Sequence, residues 1–138
     1  MHAIYSIERH PSKEDVLEIE KRIHIFNMAK TGDLGMYPIA IFARNAQGKI
    51  IGGITGNTLL HSLFINTLFV DSETRSQGIG SKLMKIAEDY AKEEDINLIH
   101  LDTFSFQAPL FYQKLGYMIF GELDYKEGIK RYFLKKNI

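Results

Sequence analysis

The chain has 138 residues, of which 45% are hydrophobic and 25% are charged. These values are typical of one globular domain, residues 1–138, that can bury a core. Lys plus Arg equals Asp plus Glu at 17 each, so no net field would hold nucleic acid. There is no Cys, which excludes disulfides, a thiol nucleophile and thiolate metal sites. No apolar run reaches the length of a signal peptide or a membrane span, so we expect a cytoplasmic protein with no membrane partner.

An alternating pattern comes first. Residues 3–9 (AIYSIER) alternate apolar and polar side chains and predict a first strand. Ser12, with Asp15 three residues later, is a capping-box-like helix start. The apolar residues that follow at helical spacing predict a helix to about Ala29; they are Val16, Ile19, Ile23 and Phe26.

Three strands are predicted next. Residues 39–44 and 49–58 are strand-like and are joined by the turn sequence Asn-Ala-Gln-Gly at 45–48. Residues 63–70 predict an interior strand, since both sides are largely apolar. Strict alternation assigns Phe64, Asn66, Leu68 and Val70 to one face, and Leu63, Ile65, Thr67 and Phe69 to the other.

A loop with two glycines follows this strand. It reads R-x-x-G-x-G, with Arg75, Gly78 and Gly80. Glycine lets backbone approach a ligand closely, and the first N–H groups of a following helix attract an anion. That helix is indicated by an apolar stripe of Leu83, Met84, Ala87, Tyr90 and Ala91. The loop therefore predicts a phosphate-binding turn.

The last part of the chain contains one helix and three strands. Residues 96–104 predict a buried strand, Pro109 suits a first helical turn and Gly116 suits a helix C-terminus. Residues 117–123 and 130–135 predict strands around a turn at 127–128. The predicted order is β-α-β-β-β-α-β-α-β-β. This is an α/β (α+β) fold with a mixed sheet of about six to seven strands, flanked by helices.

Two common phosphate loops do not fit the glycine motif. A dinucleotide-binding G-x-G-x-x-G would need a third glycine where Leu83 stands, and a P-loop would need Lys where Ser81 follows Gly80. The segment VDSETRSQGIG at 70–80, followed by APLFYQKLGY at 108–117, instead resembles the GNAT superfamily of N-acetyltransferases. The resemblance covers essentially the whole chain.

This resemblance implies the GNAT fold and acetyl-CoA as the co-substrate. The implied activity is an N-acetyltransferase that transfers acetyl to a primary amine of a small molecule or peptide, by direct attack in a ternary complex. The histidines show no metal-ligand spacing, so we expect no metal. The expected partner is the amine acceptor, with no nucleic acid; a homodimer is compatible with the resemblance.

In this family the glycine loop holds the pyrophosphate of coenzyme A through backbone amides. Leu68, Phe69 and Val70 correspond to the strand segment that pairs with the pantetheine arm, where a neighbouring strand splays away. A backbone N–H there, assigned to Leu68, would stabilise the oxyanion. The loop residues implied to bind the cofactor are Arg75, Ser76, Gln77, Gly78, Ile79, Gly80 and Ser81, the last adding its hydroxyl.

Tyr112 lies where many family members carry a tyrosine that protonates the departing thiolate. Its neighbour Phe111 is predicted to be a core aromatic. Ser105 stands where the family frequently has Asn, which leaves that cofactor contact unassigned. In this fold residues 25–37 would cover the acceptor pocket. They combine apolar, polar and charged side chains, so they do not indicate which acceptor binds.

The general base is less specified. A primary amine near pKa 10 must lose a proton before it attacks. The candidate is Asp102, which lies two residues after His100 on the same face of a strand. Alternatively, Asp102 is a structural residue that bonds to a nearby backbone turn. Further options are Glu122, Asp124 or a water chain. Since no base is obvious, the alternative function is a non-catalytic acyl-CoA-binding regulatory or sensor module. Nucleic-acid binding ranks third, because no basic stripe appears.

Overall fold

The structure is a computed structural model that describes residues 2–138. The chain separates into two compact units, Met1–Leu34 and Gly35–Ile138. Within residues 2–138, no helix is both long enough and apolar enough to cross a bilayer.

The first unit contains one helix, α1 (Lys13–Thr31). It begins as predicted, because the Ser12 Oγ accepts a hydrogen bond from the Asp15 N–H at 3.1 Å. It ends at Gly32, which has φ of 74°. None of the side chains of α1 is buried.

The predicted strand over residues 3–9 is wrong. These residues lie outside every helix and strand, and Ile4 and Ile7 are 96% and 97% exposed. Alternation favours an extended chain, but a strand also needs a neighbour that pairs with its N–H and C=O groups. The observed order of helices and strands therefore begins with the helix: α-β-β-β-α-β-α-β-β.

The second unit contains a mixed sheet between helices and turns. Its strands are β1 (Tyr37–Arg44), β2 (Ile50–Leu59), β3 (Ser62–Val70), β4 (Leu98–Phe104), β5 (Met118–Asp124) and β6 (Lys130–Asn137). Its helices are α2 (Ile79–Glu93) and α3 (Pro109–Lys114), with 3₁₀ turns at Ser72–Gln77 and Lys126–Gly128. The strand order is β1-β2-β3-β4-β6-β5, and only β3 and β4 run parallel. This sheet confirms the predicted fold class.

Helix α2 packs against the sheet through the predicted apolar stripe. Four of its side chains are at most 2% exposed: Leu83, Met84, Ala87 and Ala91. The sheet face in the same core, called the core face below, carries Ile54, Leu63, Ile99, Leu101 and Leu134. Each large side chain buried this way contributes about 1.5–3 kcal/mol. The opposite side of the sheet is called the outer face.

Strand β3 contains a bulge at Asn66. In its register with β2, Gly56 lies opposite Ile65 and Thr55 lies opposite Thr67. Asn66 therefore has no residue opposite. A bulge of this kind shifts the side-chain alternation by one residue.

The bulge corrects the predicted faces of β3. Leu63 and Ile65, before the bulge, are buried in the core, and Leu68 and Val70, after it, pack against the same core. Phe69 is 56% exposed. The prediction that separated Leu63 from Leu68 is wrong, because strict alternation cannot include a bulge.

A polar cluster joins α2, the end of α3 and β6. The Tyr117 hydroxyl donates to Glu88 Oε2 at 3.2 Å. Lys136 Nζ donates to Glu88 Oε1 at 2.8 Å and to the Leu115 C=O at 2.7 Å. Burial, with the charge of Glu88, raises the pKa of Tyr117. The cluster fixes the position of the segment that follows α3.

Candidate active site

The parallel strands β3 and β4 come apart half-way along. Pairing runs from Ser62 opposite Leu98 to Ile65 opposite Leu101. Beyond these pairs, a cleft of about 860 Å³ is lined by the ends of both strands, the glycine loop, and the starts of α2 and α3. This volume is typical of a small-molecule site.

The backbone of β3 faces this cleft. The Asp71 N–H donates toward β2, to the Ile51 C=O at 2.8 Å. Successive N–H groups of a strand point to opposite edges. Those of Leu68 and Val70 therefore point away from β2, to the edge that β4 has left. Both residues line the cleft, so they can pair with an extended ligand as a neighbouring strand would.

Arg75 lies at the end of this strand edge. Its Nε donates to the Val70 C=O at 3.2 Å, which holds the side chain at the cleft wall. The residue is exposed and brings a positive charge to the end of the cleft where the glycine loop lies.

Gly78 is the N-cap of α2 and has a left-handed backbone, with φ 72° and ψ 17°. A Cβ there would meet nothing within 4 Å, so conformation rather than space favours glycine. No side chain caps the helix, and its first turn holds no acidic residue. The N–H groups of Ile79, Gly80 and Ser81 have no intrahelical acceptor, which leaves a helix start suited to an anion.

Gly80 is favoured for a different reason, which is space. A Cβ there would lie 3.3 Å from Cζ of Phe111 and 3.7 Å from Cγ2 of Val70. The absent side chain makes room for the Phe111 ring, which both packs against the core and lines the cleft. The predicted core aromatic is therefore also part of the cleft wall.

Tyr112 lies on α3 and is 7% exposed. Its hydroxyl makes no hydrogen bond with residues 2–138, yet no fully buried side-chain oxygen in that range lacks a partner. The hydroxyl is therefore not fully enclosed by protein, and Tyr112 lines the cleft. Burial, with a smaller effect of the Asp102 charge, raises the pKa of Tyr112 to about 12. The phenol is protonated at neutral pH and can donate a proton.

Asp102 lines the cleft and is paired with Arg131 of β6. Arg131 Nε donates to Asp102 Oδ1 at 3.1 Å, and Nη2 lies 3.0 Å from Oδ2. The ion pair is part-buried, and its two parallel contacts fix the orientation of the carboxylate. His100 lies outside the cleft lining, with its ring 5.0 Å from that of Phe64. Burial lowers the pKa of His100, and the Asp102 charge opposes this shift.

The other carboxylates considered as a base are not part of the cleft wall. Glu122 and Asp124 both contact Lys130 Nζ, at 3.4 and 2.8 Å. Their side chains are 51% and 77% exposed. Three residues from the predicted loop set also lie outside the lining: Ser76, Gln77 and Ile79. Of these, Ile79 packs against the core.

Gln107 is a cleft residue that the sequence analysis missed. Its Oε1 accepts the Phe104 N–H at 2.7 Å and the Thr103 hydroxyl at 3.4 Å. These bonds fix the carboxamide at the end of β4, where it lines the cleft. The sequence feature that could have indicated Gln107 is its amide side chain two residues before Pro109. Ser105 instead accepts the Lys130 N–H at 3.1 Å and supports the turn.

The site combines the parallel strands β3 and β4, which separate here, with the N-terminus of α2, which no side chain caps. This arrangement suits an extended ligand with a negatively charged end. The sequence profile of the Acetyltransferase (GNAT) family matches residues 1–117. The chain therefore belongs to the GNAT acetyltransferase family, as its two motifs predict, and is an acyltransferase.

Named relatives agree with this assignment. The chain is 36% identical over 102 residues to blasticidin-S acetyltransferase of Streptomyces morookaense, covering 72% of this chain and 74% of that protein. An acetyltransferase structure from Bacillus cereus has a TM-score of 0.84 and 34% identity, covering 96% and 98%. A Bacillus anthracis acetyltransferase solved with acetyl coenzyme A has a TM-score of 0.64 and 25% identity, covering 73% and 62%.

The cleft residues fit acetyl-CoA. The helix start offers N–H donors and no carboxylate, Arg75 adds a cation, and the β3 edge offers the N–H groups of Leu68 and Val70. This donor set suits a pyrophosphate followed by an amide-bearing arm. Within residues 2–138, no group of three or more His, Asp or Glu side chains is arranged to hold a metal ion.

We predict that Gly78→Ala weakens acetyl-CoA binding, because an alanine strains the left-handed backbone that presents the helix start. A shift of the loop should reduce affinity at least about 10-fold, equivalent to about 1.4 kcal/mol. Isothermal titration with acetyl-CoA measures it. Gly48→Ala is the matched control, since Gly48 has φ of 81° and also has no neighbour within 4 Å of a Cβ. Equal affinities of the two variants would contradict a role for Gly78 in the site.

Proposed function

We propose that the chain is an N-acetyltransferase that uses acetyl-CoA and a primary amine of a small molecule. The amine nitrogen bonds to the thioester carbonyl carbon, the C–S bond breaks, and the thiolate takes a proton. The chain has no Cys, so transfer through a thiol-linked acyl-enzyme is excluded. In the proposed reaction the two substrates react directly in a ternary complex.

One observation carries this proposal: the edge of β3 that β4 has left faces the same cleft as the Tyr112 hydroxyl. In the proposed mechanism the Leu68 N–H donates to the thioester oxygen as negative charge develops there. Removing one such donor from an oxyanion site typically costs about 10²–10³ in rate. The Val70 N–H, on the same edge, pairs with the pantetheine arm.

Tyr112 is the proposed proton donor to the departing sulfur. A phenol with a pKa of about 12 is a weak acid, yet it stays protonated through the whole working pH range. A thiol of pKa near 8.5 is already a fair leaving group, so the gain should be about 10²-fold, the low end of general-acid effects.

Asp102 is the proposed base, since it is the only carboxylate among the described residues that line the cleft. It takes the proton of the incoming ammonium directly or through one water. Its pair with Arg131 orients the carboxylate and leaves lone pairs on both oxygens for a further donor.

A small-molecule acceptor is favoured over a peptide by the 36% identical relative, whose name gives blasticidin-S as its substrate. The alternative, a non-catalytic acyl-CoA-binding module, needs the same loop but no base or proton donor. The presence of both Asp102 and Tyr112 in the cleft favours the enzyme.

The function is tested by measuring free thiol released from acetyl-CoA with a panel of amines. The panel includes blasticidin-S, polyamines, aminoglycosides, amino acids and peptide N-termini, with mass spectrometry of the products. We expect thiol release matched by acetylated small-molecule product. Since the protein contains no Cys, a thiol reagent reports only product. Binding of acetyl-CoA without turnover of any amine would favour the sensor module, and no binding would contradict both functions.

Tyr112→Phe should lower kcat about 10²-fold and leave the Kd of acetyl-CoA nearly unchanged, because only the proton donor is removed. Stopped assays at saturating substrates measure this change. Tyr117→Phe is the matched control: it also removes a hydroxyl from a buried phenol, but one that bonds Glu88 outside the cleft. Since the pKa of Tyr112 is about 12, its deprotonation should not reduce kcat between pH 8 and 10. A kcat of Tyr112→Phe equal to that of the wild type would disprove this role.

Asp102→Asn should lower kcat/KM at neutral pH at least about 10²-fold, because the proton acceptor is lost. Initial rates and melting temperatures of the variant and the wild type measure this. Asp124→Asn is the control, since Asp124 pairs with Lys130 at the surface. A loss of rate at Asp102→Asn accompanied by a much lower melting temperature would show that the aspartate is structural, and an unchanged rate would contradict its role as the base.

A further inference from the structure

Strand β4 presents side chains to the cleft from both of its faces. Thr103 is 3% exposed and lies on the core face with Ile99 and Leu101. Since successive side chains of a strand point to opposite faces, Asp102 and Phe104 lie on the outer face, about 7 Å apart along the strand. Both residues line the cleft. The cleft therefore has walls on both faces of the sheet, with the start of α2 on the core side and this pair on the other side.

An aromatic cluster continues from Phe104. Its ring centroid lies 5.4 Å from that of Phe106 in a stacked arrangement, and 5.4 Å from that of Tyr125 in an edge-to-face arrangement. Phe106 also lines the cleft and is 69% exposed. Within residues 2–138, Phe104 provides the one aromatic ring that contacts Phe106. Much of the Phe106 ring therefore stays free to contact a ligand.

Hydrogen bonds hold the turn that carries Phe106. The Gln107 N–H donates to the Phe104 C=O at 2.9 Å, and the Phe104 N–H donates to Gln107 Oε1 at 2.7 Å. The Ser105 N–H donates to the Lys130 C=O at 2.8 Å, and the Lys130 N–H donates to the Ser105 hydroxyl at 3.1 Å. A ligand that covers a ring on such a turn needs little ordering of the protein. Exposed apolar rings in a cleft are typical of a binding surface.

Arg131 connects the aromatic cluster to the carboxylate. Its guanidinium carbon lies 5.7 Å from the centroid of the Phe104 ring and 5.1 Å from that of Phe133. The same guanidinium holds Asp102 through two contacts, and its Nη1 donates to the Tyr125 hydroxyl at 3.4 Å. One side chain therefore fixes the carboxylate and the rings relative to each other.

We propose that Phe104 and Phe106 form a subsite for a flat, unsaturated ring of the acceptor, which places the amine a few bonds away at Asp102. The acceptor is then a primary amine joined by a short chain to an aromatic or heteroaromatic ring. Aromatic rings pack stacked or edge to face, and this cluster already contains both arrangements. The positive charge of the ammonium complements Asp102. The role of this subsite rests on the proposed function, in which Asp102 accepts the proton of the amine.

Binding of two matched amines tests the subsite. Phenethylamine and cyclohexylethylamine have the same chain and the same ring size, and only phenethylamine has a π system. Aromatic pairs are favoured beyond the apolar area that they bury, by about 2- to 12-fold in affinity. Ligand-observed NMR titration measures the dissociation constant of each amine for the full chain in the presence of coenzyme A, and it requires no turnover.

Substitutions at Phe106 separate the ring from its apolar surface. Phe106→Leu removes the ring and should lower the ratio of the two dissociation constants, cyclohexyl over phenyl, about 2- to 12-fold. Phe106→Tyr keeps the ring and should keep the wild-type ratio. Because ratios are compared between variants, the difference in basicity between the two amines cancels. Phe120→Leu is the matched control, since Phe120 is 55% exposed and lies outside the cleft lining. Melting temperatures check that each variant is folded.

An equal ratio in the wild type and in folded Phe106→Leu would overturn the ring subsite, as would a lack of phenethylamine binding at millimolar concentration. Both results are independent of the thiol-release assay. Acetylated products together with an unchanged ratio would contradict the subsite and leave the transferase function standing. A ratio that falls while no amine is acetylated would support the subsite and contradict the transferase function.

Discussion

Strand β3 pairs with β2 along its whole length and with β4 along only its first half. The unpaired half keeps a row of backbone donors and acceptors that water or a ligand must satisfy. The bulge at Asn66 lies where pairing with β4 stops, and it depends on a glycine opposite. A Cβ at Gly56 would lie 2.5 Å from the Phe64 carbonyl oxygen, too close for any other residue. The cleft therefore begins where the backbones of β2 and β3 lie so close together that Gly56 cannot carry a side chain.

The rest of the site is positioned by packing around that edge. Helix α2 has its first turn in the cleft and its apolar stripe in the core. The burial of Leu83 and Met84 therefore also fixes the N–H groups that are proposed to bind an anion. Helix α3 is held at its end by Lys136, which donates to the Leu115 C=O and to Glu88 of α2, and this contact helps to fix Tyr112 against the cleft. The same contacts that stabilise the domain orient the groups proposed to react.

Local patterns were sufficient to predict most of the fold. The turn at 45–48, the stripe of α2 and the helix begun by Pro109 each depend on a few neighbouring residues, and the structure has all three. The glycine loop was predictable because its motif and its placement agree. The features that were predicted wrongly or missed depend on residues that are distant in sequence. The strand predicted at 3–9 needs an edge to pair with, and the Asp102–Arg131 pair joins residues 29 positions apart. Gln107 was missed because its role follows from where β4 ends.

The bulge has a consequence for how this strand tolerates change in length. Removing Asn66 would leave Thr67 opposite Thr55 and place Ile65 and Leu68 two positions apart, so both would still face the core. Keeping Asn66 but pairing it with Thr55, without a bulge, would instead reverse every residue from Thr67 to Val70. Phe69 would then turn into the core in place of Leu68, and the N–H groups facing the cleft would be those of different residues. The bulge thus determines which residues of β3 are buried and which present their N–H groups to the cleft.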